Sequence, residues 1–402
     1  MIKLINYITI ALIPLHLIKV PLFRNASLNI LDLLLLLSVL TNLTWIIRKK
    51  YLKNFLNISL LTKIAFLFIF IGFFVSFLFN TTKINIFDNL GILKSFLFLP
   101  IFFSWTVSFL VNKSLLTIKN ILLSYLSMST FLASTGIFYF FTKELTFDGR
   151  VEIFLDSPNH LAILLSLSIL LLINLINSKK YFKSPILKYF LLLLLLIHTF
   201  STIATSSTGA FLTLIVLLFV FFVKEIRNIR YNNLQLLLLA IIFCISITLL
   251  FSQKITSSLG YTQKSPPTST DSRIVIYEVT RQIIANDYLT GIGPGNFQEK
   301  YLSKQRYNPP FPQWAVPHPH NNFLLFLVEG GLFSLFGIII LFVSKWNTKK
   351  TPLGALIFFM LFYLLIHGII DTTIWKNDLS VIFWLFLGIL LFYPKEITIS
   401  KI

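Results

Sequence analysis

Apolar runs long enough to cross a lipid bilayer recur along almost the whole chain, and no other feature restricts its fold so tightly. About 30 Å of hydrocarbon takes roughly 17 to 25 helical residues. Runs near that length lie at 4–22, 27–47, 59–79, 89–111, 121–141, 160–177, 189–205, 207–223, 234–252, 322–344, 355–370 and 379–393. Hydrophobic residues make up 56% of the 402 and charged ones 12%, which cannot be sorted into the core and surface of a soluble domain. Backbone in hydrocarbon must satisfy its own hydrogen bonds, so the expected fold is all-α. The reading is a polytopic bundle of about twelve transmembrane helices, a single transmembrane domain over residues 1–402. Within 189–223 only Ser206 separates two runs, and Ser201, Thr202, Thr205, Ser207, Thr208 and Gly209 crowd the join. Two full spans and a broken pair are both open there.

The net charge of +19 is distributed as a membrane topology signal. With the N-terminus inside, the inner segments hold nineteen basic residues against Glu225 and Glu396, while the outer segments hold twelve basic and eleven acidic ones. Cations resist translocation, so this asymmetry puts both termini in the cytoplasm. No basic face is gathered in a soluble module, which argues against nucleic acid as a partner and for membrane lipid. The single cysteine, Cys244, sits in an apolar run and can form no intrachain disulfide. No small-residue cleavage site follows the run from Ile5 to Phe23, so it is expected to stay as the first helix.

Two outer connections are long: Thr142 to Asn159, and a large loop over 253–320. Loops of such length are usually functional or disordered. In the second, Asp271 to Leu289 carries Ile274, Val275, Val279, Ile283 and Ile284 at a helical period, with Asp271 or Ser272 as the N-cap. The expectation is an amphipathic helix lying on the outer membrane boundary. Ser265 to Ser272 reads as a hinge, Gly291, Gly293, Pro294 and Gly295 as a turn, and Pro309, Pro310, Pro312 and Pro317 as a stiff return to the membrane.

That return delivers His318, His320 and Asn321 to the mouth of an apolar helix, where a titratable cluster is costly to desolvate and is a site candidate. A histidine with an ordinary pKa near about 6.5 can accept a proton from a hydroxyl at neutral pH. Arg150 and Arg273 lie in outer segments beside spans, and planar guanidinium forks suit a dianionic diphosphate. Arginines snorkelling to Asp148, Asp156 or Asp271 are the competing reading. Arg281 follows Arg273 by eight residues, about 80° round a helix, and reads better as a solvated face. Glu329, an acid within a span, is either a site residue or half of an interhelical bond, and Gly330 and Gly331 beside it suit close helix contact. Asn159 reads equally as a helix N-cap. His16, His198 and His367 sit on apolar runs as hydrogen-bonded core groups.

Three stretches, in order, carry a family likeness. Gly149-Arg150 with Asp156-Ser157-Pro158-Asn159-His160-Leu161-Ala162, then Ser272-Arg273 with Gly291-Ile292-Gly293-Pro294-Gly295-Asn296-Phe297, then His318-Pro319-His320-Asn321 resemble the O-antigen ligase and O-antigen polymerase family. The likeness covers roughly residues 85 to 345. It implies transfer of a glycan from an undecaprenyl diphosphate carrier on the periplasmic side of the bacterial inner membrane, with no metal and no other cofactor. It also implies His320 as general base or acceptor-orienting group, with His318 as runner-up; Arg150 and Arg273, less so Arg281, as diphosphate ligands; and Asn321, Glu329 and Asn159 in support. Pro319, between the two histidines, should point their rings differently. Gly331 matches a family glycine, but the next one is replaced by Ser334, with Gly337 one turn on, which weakens the match to the ligase motif.

The first function expected is a ligase that joins the lipid-linked glycan to the lipid A-core of lipopolysaccharide with inversion. Its rivals are a polymerase of lipid-linked repeats, a protein O-oligosaccharyltransferase and, from another class, a lipid-linked glycan transporter. No Asp-x-Asp pair, zinc spacing, dinucleotide glycine loop or hydrolase serine elbow offers a different chemistry.

Overall fold

Because hydrocarbon offers backbone groups no water, each span must close its hydrogen bonds within itself. In a computed structural model the described residues are 1–21, 27–80, 86–155, 157–177, 184–226, 269–309, 314–344 and 352–392, and they are almost wholly helical. The expected run at 234–252, Cys244, the hinge up to residue 268, Asp156, Pro310 and Pro312 lie outside them.

The helices are α1 (Ile2–Ala11), α2 (Ile30–Arg48), α3 (Leu52–Phe55), α4 (Leu60–Asn80), α5 (Ile86–Leu93), α6 (Leu99–Asn112), α7 (Ile118–Thr142), α8 (Pro158–Asn177), α9 (Pro185–Ala204), α10 (Thr208–Ile226), α11 (Ser269–Asp287), α12 (Phe297–Gln305), α13 (Asn322–Val343), α14 (Pro352–His367) and α15 (Asn377–Phe392). Among the described residues seven helices are long and apolar enough to cross a membrane: α2, α4, α5 continued through α6, α7, α8, α9 and α13. α1, α10, α14 and α15 are apolar over shorter lengths. The expected span at 4–22 is cut short, because α1 gives way to a 3-10 turn over Ile13–Leu17 that contains Pro14, a residue with no N–H to continue a helix. Beyond it, Lys19–Pro21 pairs antiparallel with Ser27–Asn29 in a two-stranded ribbon. The uncertain pair resolves into α9 and α10, joined through Thr205, Ser206 and Ser207 with Ser206 at φ +49.

The chain falls into two compact units. The first comprises Met1–Ile121, Pro267–Leu361 and Gly368–Ile402. Here α4 and α13 pack backbone to backbone: a Cβ on Gly72 would meet Ser334 N at 2.5 Å, and one on Gly337 would meet Ala65 O at 2.7 Å. Such small-residue contact is how helices associate without a hydrophobic driving force. Asp32, in α2, is buried and accepts from Lys94 Nζ at 2.7 Å and Ser95 Oγ at 2.8 Å, so a buried acid is met by a cation and a hydroxyl. The second unit comprises Leu122–Pro266 and Phe362–His367, with α8 buried along nearly its whole length beside α9. His198 meets Ser129 Oγ at 3.2 Å and Leu194 O at 2.8 Å, and His367 meets Thr213 Oγ1 at 3.5 Å. His16 meets Ile13 O at 3.2 Å in the first unit, so all three are hydrogen-bonded core groups, as expected.

Candidate active site at the mouth of α13

Two features of α11 differ from expectation. It begins at Ser269, which puts Asp271 and Ser272 in its first turn rather than at its cap. Its inward face is Ile276, Val279 and Ile283, packed with Ile292, Phe297, Tyr301, Val316 and Val328, whereas Ile274 is 61% exposed. That face therefore packs into a protein core, while Ile274 stays outside it. The helical period allowed either neighbour, and only the folded loop supplies the partner.

The turn after α11 is built into a break in α13. Gly331 takes φ +70 and ψ −176, outside the helical region, so the helix loses its own hydrogen bonds there. The loop and α4 restore them: Ile292 N–H donates to Val328 O at 2.7 Å, Ser76 Oγ of α4 donates to Glu329 O at 2.6 Å, and Leu332 N–H donates to Tyr288 O at 3.0 Å. Gly291 faces Gly331 so closely that a Cβ would meet Gly331 N at 2.6 Å. Gly330 keeps close helix contact, as expected, but Gly331 is the break itself. Glu329, wholly buried, accepts from Gly295 N–H through Oε2 at 3.0 Å and so ties the loop to α13.

At the N-terminal mouth of α13, Asn321 is the N-cap, its Oδ1 accepting from Phe323 N–H at 2.9 Å and Leu324 N–H at 3.0 Å. Its Nδ2 donates to Ile369 O at 2.9 Å, while Asn322 N–H donates to Gly368 O at 2.7 Å. Asn322 also exchanges hydrogen bonds with Thr373, at 2.8 and 2.9 Å. These bonds zip residues 368–373 to residues 321–322. They bring up Asp371, which the sequence reading did not single out.

His320 Nδ1 lies 2.9 Å from Asp371 Oδ1. With Asp371 ionised, its carboxylate can only accept, and the arrangement then puts the proton on Nδ1 and leaves Nε2 a lone pair. Thr372 N–H donates to the same Oδ1 at 2.7 Å and holds the carboxylate in place. His320 adopts φ +49, an uncommon backbone for a residue with a Cβ, of the kind that collects at functional sites. The His318 and His320 rings point differently, as expected, and meet edge to face at 73° with centroids 4.7 Å apart. Burial, then the charges of His320 and Lys376, push the His318 imidazole down to about 3, so it stays neutral at physiological pH. Tyr277 Oη, on α11, donates to Ile369 O at 3.1 Å and lies 3.2 Å from His320 O. Burial raises the Tyr277 hydroxyl above its ordinary value, Arg273 opposes the rise and Asp371 adds to it, so these groups share one neighbourhood. Arg273 Nε, one helical turn before Tyr277 on α11, is buried with no hydrogen-bond partner, which leaves one donor unspent.

The other expected residues are placed differently. Arg281 is 71% exposed and forms an i,i+3 ion pair with Glu278 at 2.6 Å, the solvated face that was the better reading. In the second unit, Arg150 Nε donates to Thr205 O at 2.8 Å, and Arg150 NH2 donates to Asn159 Oδ1 at 2.9 Å, with Asp148 3.6 Å away. Asn159 is thus an arginine partner; the capping hydroxyl at α8 is Ser157 Oγ, which accepts from His160 N–H at 3.3 Å.

A multispanning helical protein with a carboxylate-oriented histidine at the mouth of a broken helix has the parts of a membrane-embedded acid–base site. The family model described as O-antigen ligase matches residues 190–339, which include Arg273, the glycine-rich turn, both histidines and the break in α13. The match bears out the likeness to the O-antigen ligase and polymerase family, whose members are glycosyltransferase-like enzymes. No curated protein matches the chain.

Proposed function

We propose that the protein is an O-antigen ligase-like glycosyltransferase. It moves a glycan from undecaprenyl diphosphate to the lipid A-core of lipopolysaccharide, at the periplasmic face of the bacterial inner membrane. The observation that carries this reading is the His320–Asp371 pair, 2.9 Å apart, together with the unspent Nε donor of Arg273 on α11. In this mechanism His320 Nε2 takes the proton of the acceptor hydroxyl as its oxygen attacks the anomeric carbon. The bond from that carbon to the diphosphate breaks on the opposite side, which inverts the centre. Asp371 is the positioning residue, stabilising the imidazolium that forms. Arg273 holds the leaving diphosphate, with Arg281 at most a peripheral contact, and no metal takes part in the transfer; for Arg150 a diphosphate-binding role is what the family likeness implies. Asn321 fixes the helix mouth, Glu329 anchors the loop, Asn159 aims Arg150, and His318 packs against the base.

His320→Ala should leave the protein inserted and folded while lowering transfer about 100- to 10,000-fold, the usual loss on removing a general base. Surface glycan on a gel then reads out the acceptor. A ligase loses the whole ladder, leaves core-only lipopolysaccharide and accumulates polymerised glycan on its carrier. A band of core plus one repeat would assign the chain to the polymerase reaction instead, and an unchanged ladder would remove His320 from catalysis.

A further inference from the structure

We propose that His318, His320 and Asp371 form a binding site for a divalent transition-metal ion of the Zn²⁺ type, and that its occupancy switches the transferase off. One ligand atom from each of the three lies within 4.8 Å of the others. Metal–ligand bonds of about 2.0–2.2 Å in a tetrahedral shell put donors roughly 3.3–3.6 Å apart, so closure needs shifts of about 1 Å. His318 is 8% exposed and its Nδ1 has no hydrogen-bond partner. A buried, unsatisfied ring nitrogen beside a second imidazole calls for an explanation, and a metal ligand is one. Two imidazoles and one carboxylate form a donor set for Zn²⁺ or Co²⁺ rather than Mg²⁺. The charge of Lys376 is felt at His318 and opposes any cation there, so the nitrogen donors rather than net charge must provide the affinity.

The inhibitory consequence follows from the tautomer and rests on the proposed role of His320. An ion between His320 Nδ1 and Asp371 occupies the Nδ1 lone pair. The ring's one proton must then sit on Nε2, which can no longer accept from a hydroxyl.

Tag-free, full-length protein in detergent, freed of metal by chelator, is titrated with Co²⁺. One equivalent should raise the intense visible bands of a four- or five-coordinate ion, Zn²⁺ should bleach them, and excess Mg²⁺ should not. The near-isosteric variants His318→Gln and Asp371→Asn should each lose the bands. Weak octahedral bands in the wild-type protein, displacement by Mg²⁺, or bands that survive both substitutions would overturn the site. Glycan transfer by the same preparation should fall when Zn²⁺ is added and return with chelator. Zn²⁺ bound without loss of transfer would uphold the site and remove His320 as the base, so the two readings fail separately.

Discussion

At the scale of single residues, what matters is which ring nitrogen of His320 carries the proton. Asp371→Asn keeps the shape of the partner but can donate to Nδ1, which favours the tautomer with the proton on Nε2. Transfer should therefore fall by about as much as in His320→Ala, with little change in KM; near-normal kcat would exclude a positioning role. His318 has a separate signature in stability. Its folded pKa of about 3 lies below the ordinary value of 6.5. The unfolded chain thus binds the extra proton first, and stability is fully present above about pH 6.5 and lost as pH falls from there towards 3. Thermal unfolding in detergent should show a midpoint that drops across this window, and His318→Asn should flatten the drop. An unchanged slope would mean that His318 is not buried as neutral imidazole.

At the scale of elements, the break in α13 and the turn at 291–295 are one device. The helix lacks its own partners at Val328, Glu329 and Leu332, and these are supplied by Ile292, Ser76 and Tyr288. Gly331→Ala places a Cβ against Leu289 O and imposes positive φ on a residue that resists it. The strain alone should cost about 1–3 kcal/mol. The apparent Tm in detergent should fall and transfer with it, since the turn also tethers the loop through Glu329. Gly91→Ala, where a Cβ meets nothing within 4 Å, is the control and should be silent.

At the scale of the whole molecule, the loop charge asymmetry predicts an orientation in the membrane that labelling can test. Single cysteines at Thr142 and Ser303, both exposed, in a Cys244→Ser background should react with impermeant thiol reagents in intact spheroplasts, whereas one at exposed Asn54 should not. Labelling at Asn54 alone would invert the topology and move His320 to the cytoplasm.

Hydropathy alone was enough to specify an all-helical membrane protein, because backbone hydrogen bonding in hydrocarbon leaves little choice. The motif order was enough to single out His320, Asn321, Arg273 and the glycine turn, because those residues are contiguous with local signals. Asp371 was not legible: it lies fifty-one residues from His320, in a short connection with no motif, and it reaches the histidine only because Asn321 and Asn322 zip the two segments together. The break at Gly331 was hidden for a similar reason, since a glycine in an apolar run serves helix contact or helix interruption equally well. Pattern reports what each segment prefers by itself; the pairing of distant segments is decided by which buried polar groups satisfy one another, and that exists only in the folded chain.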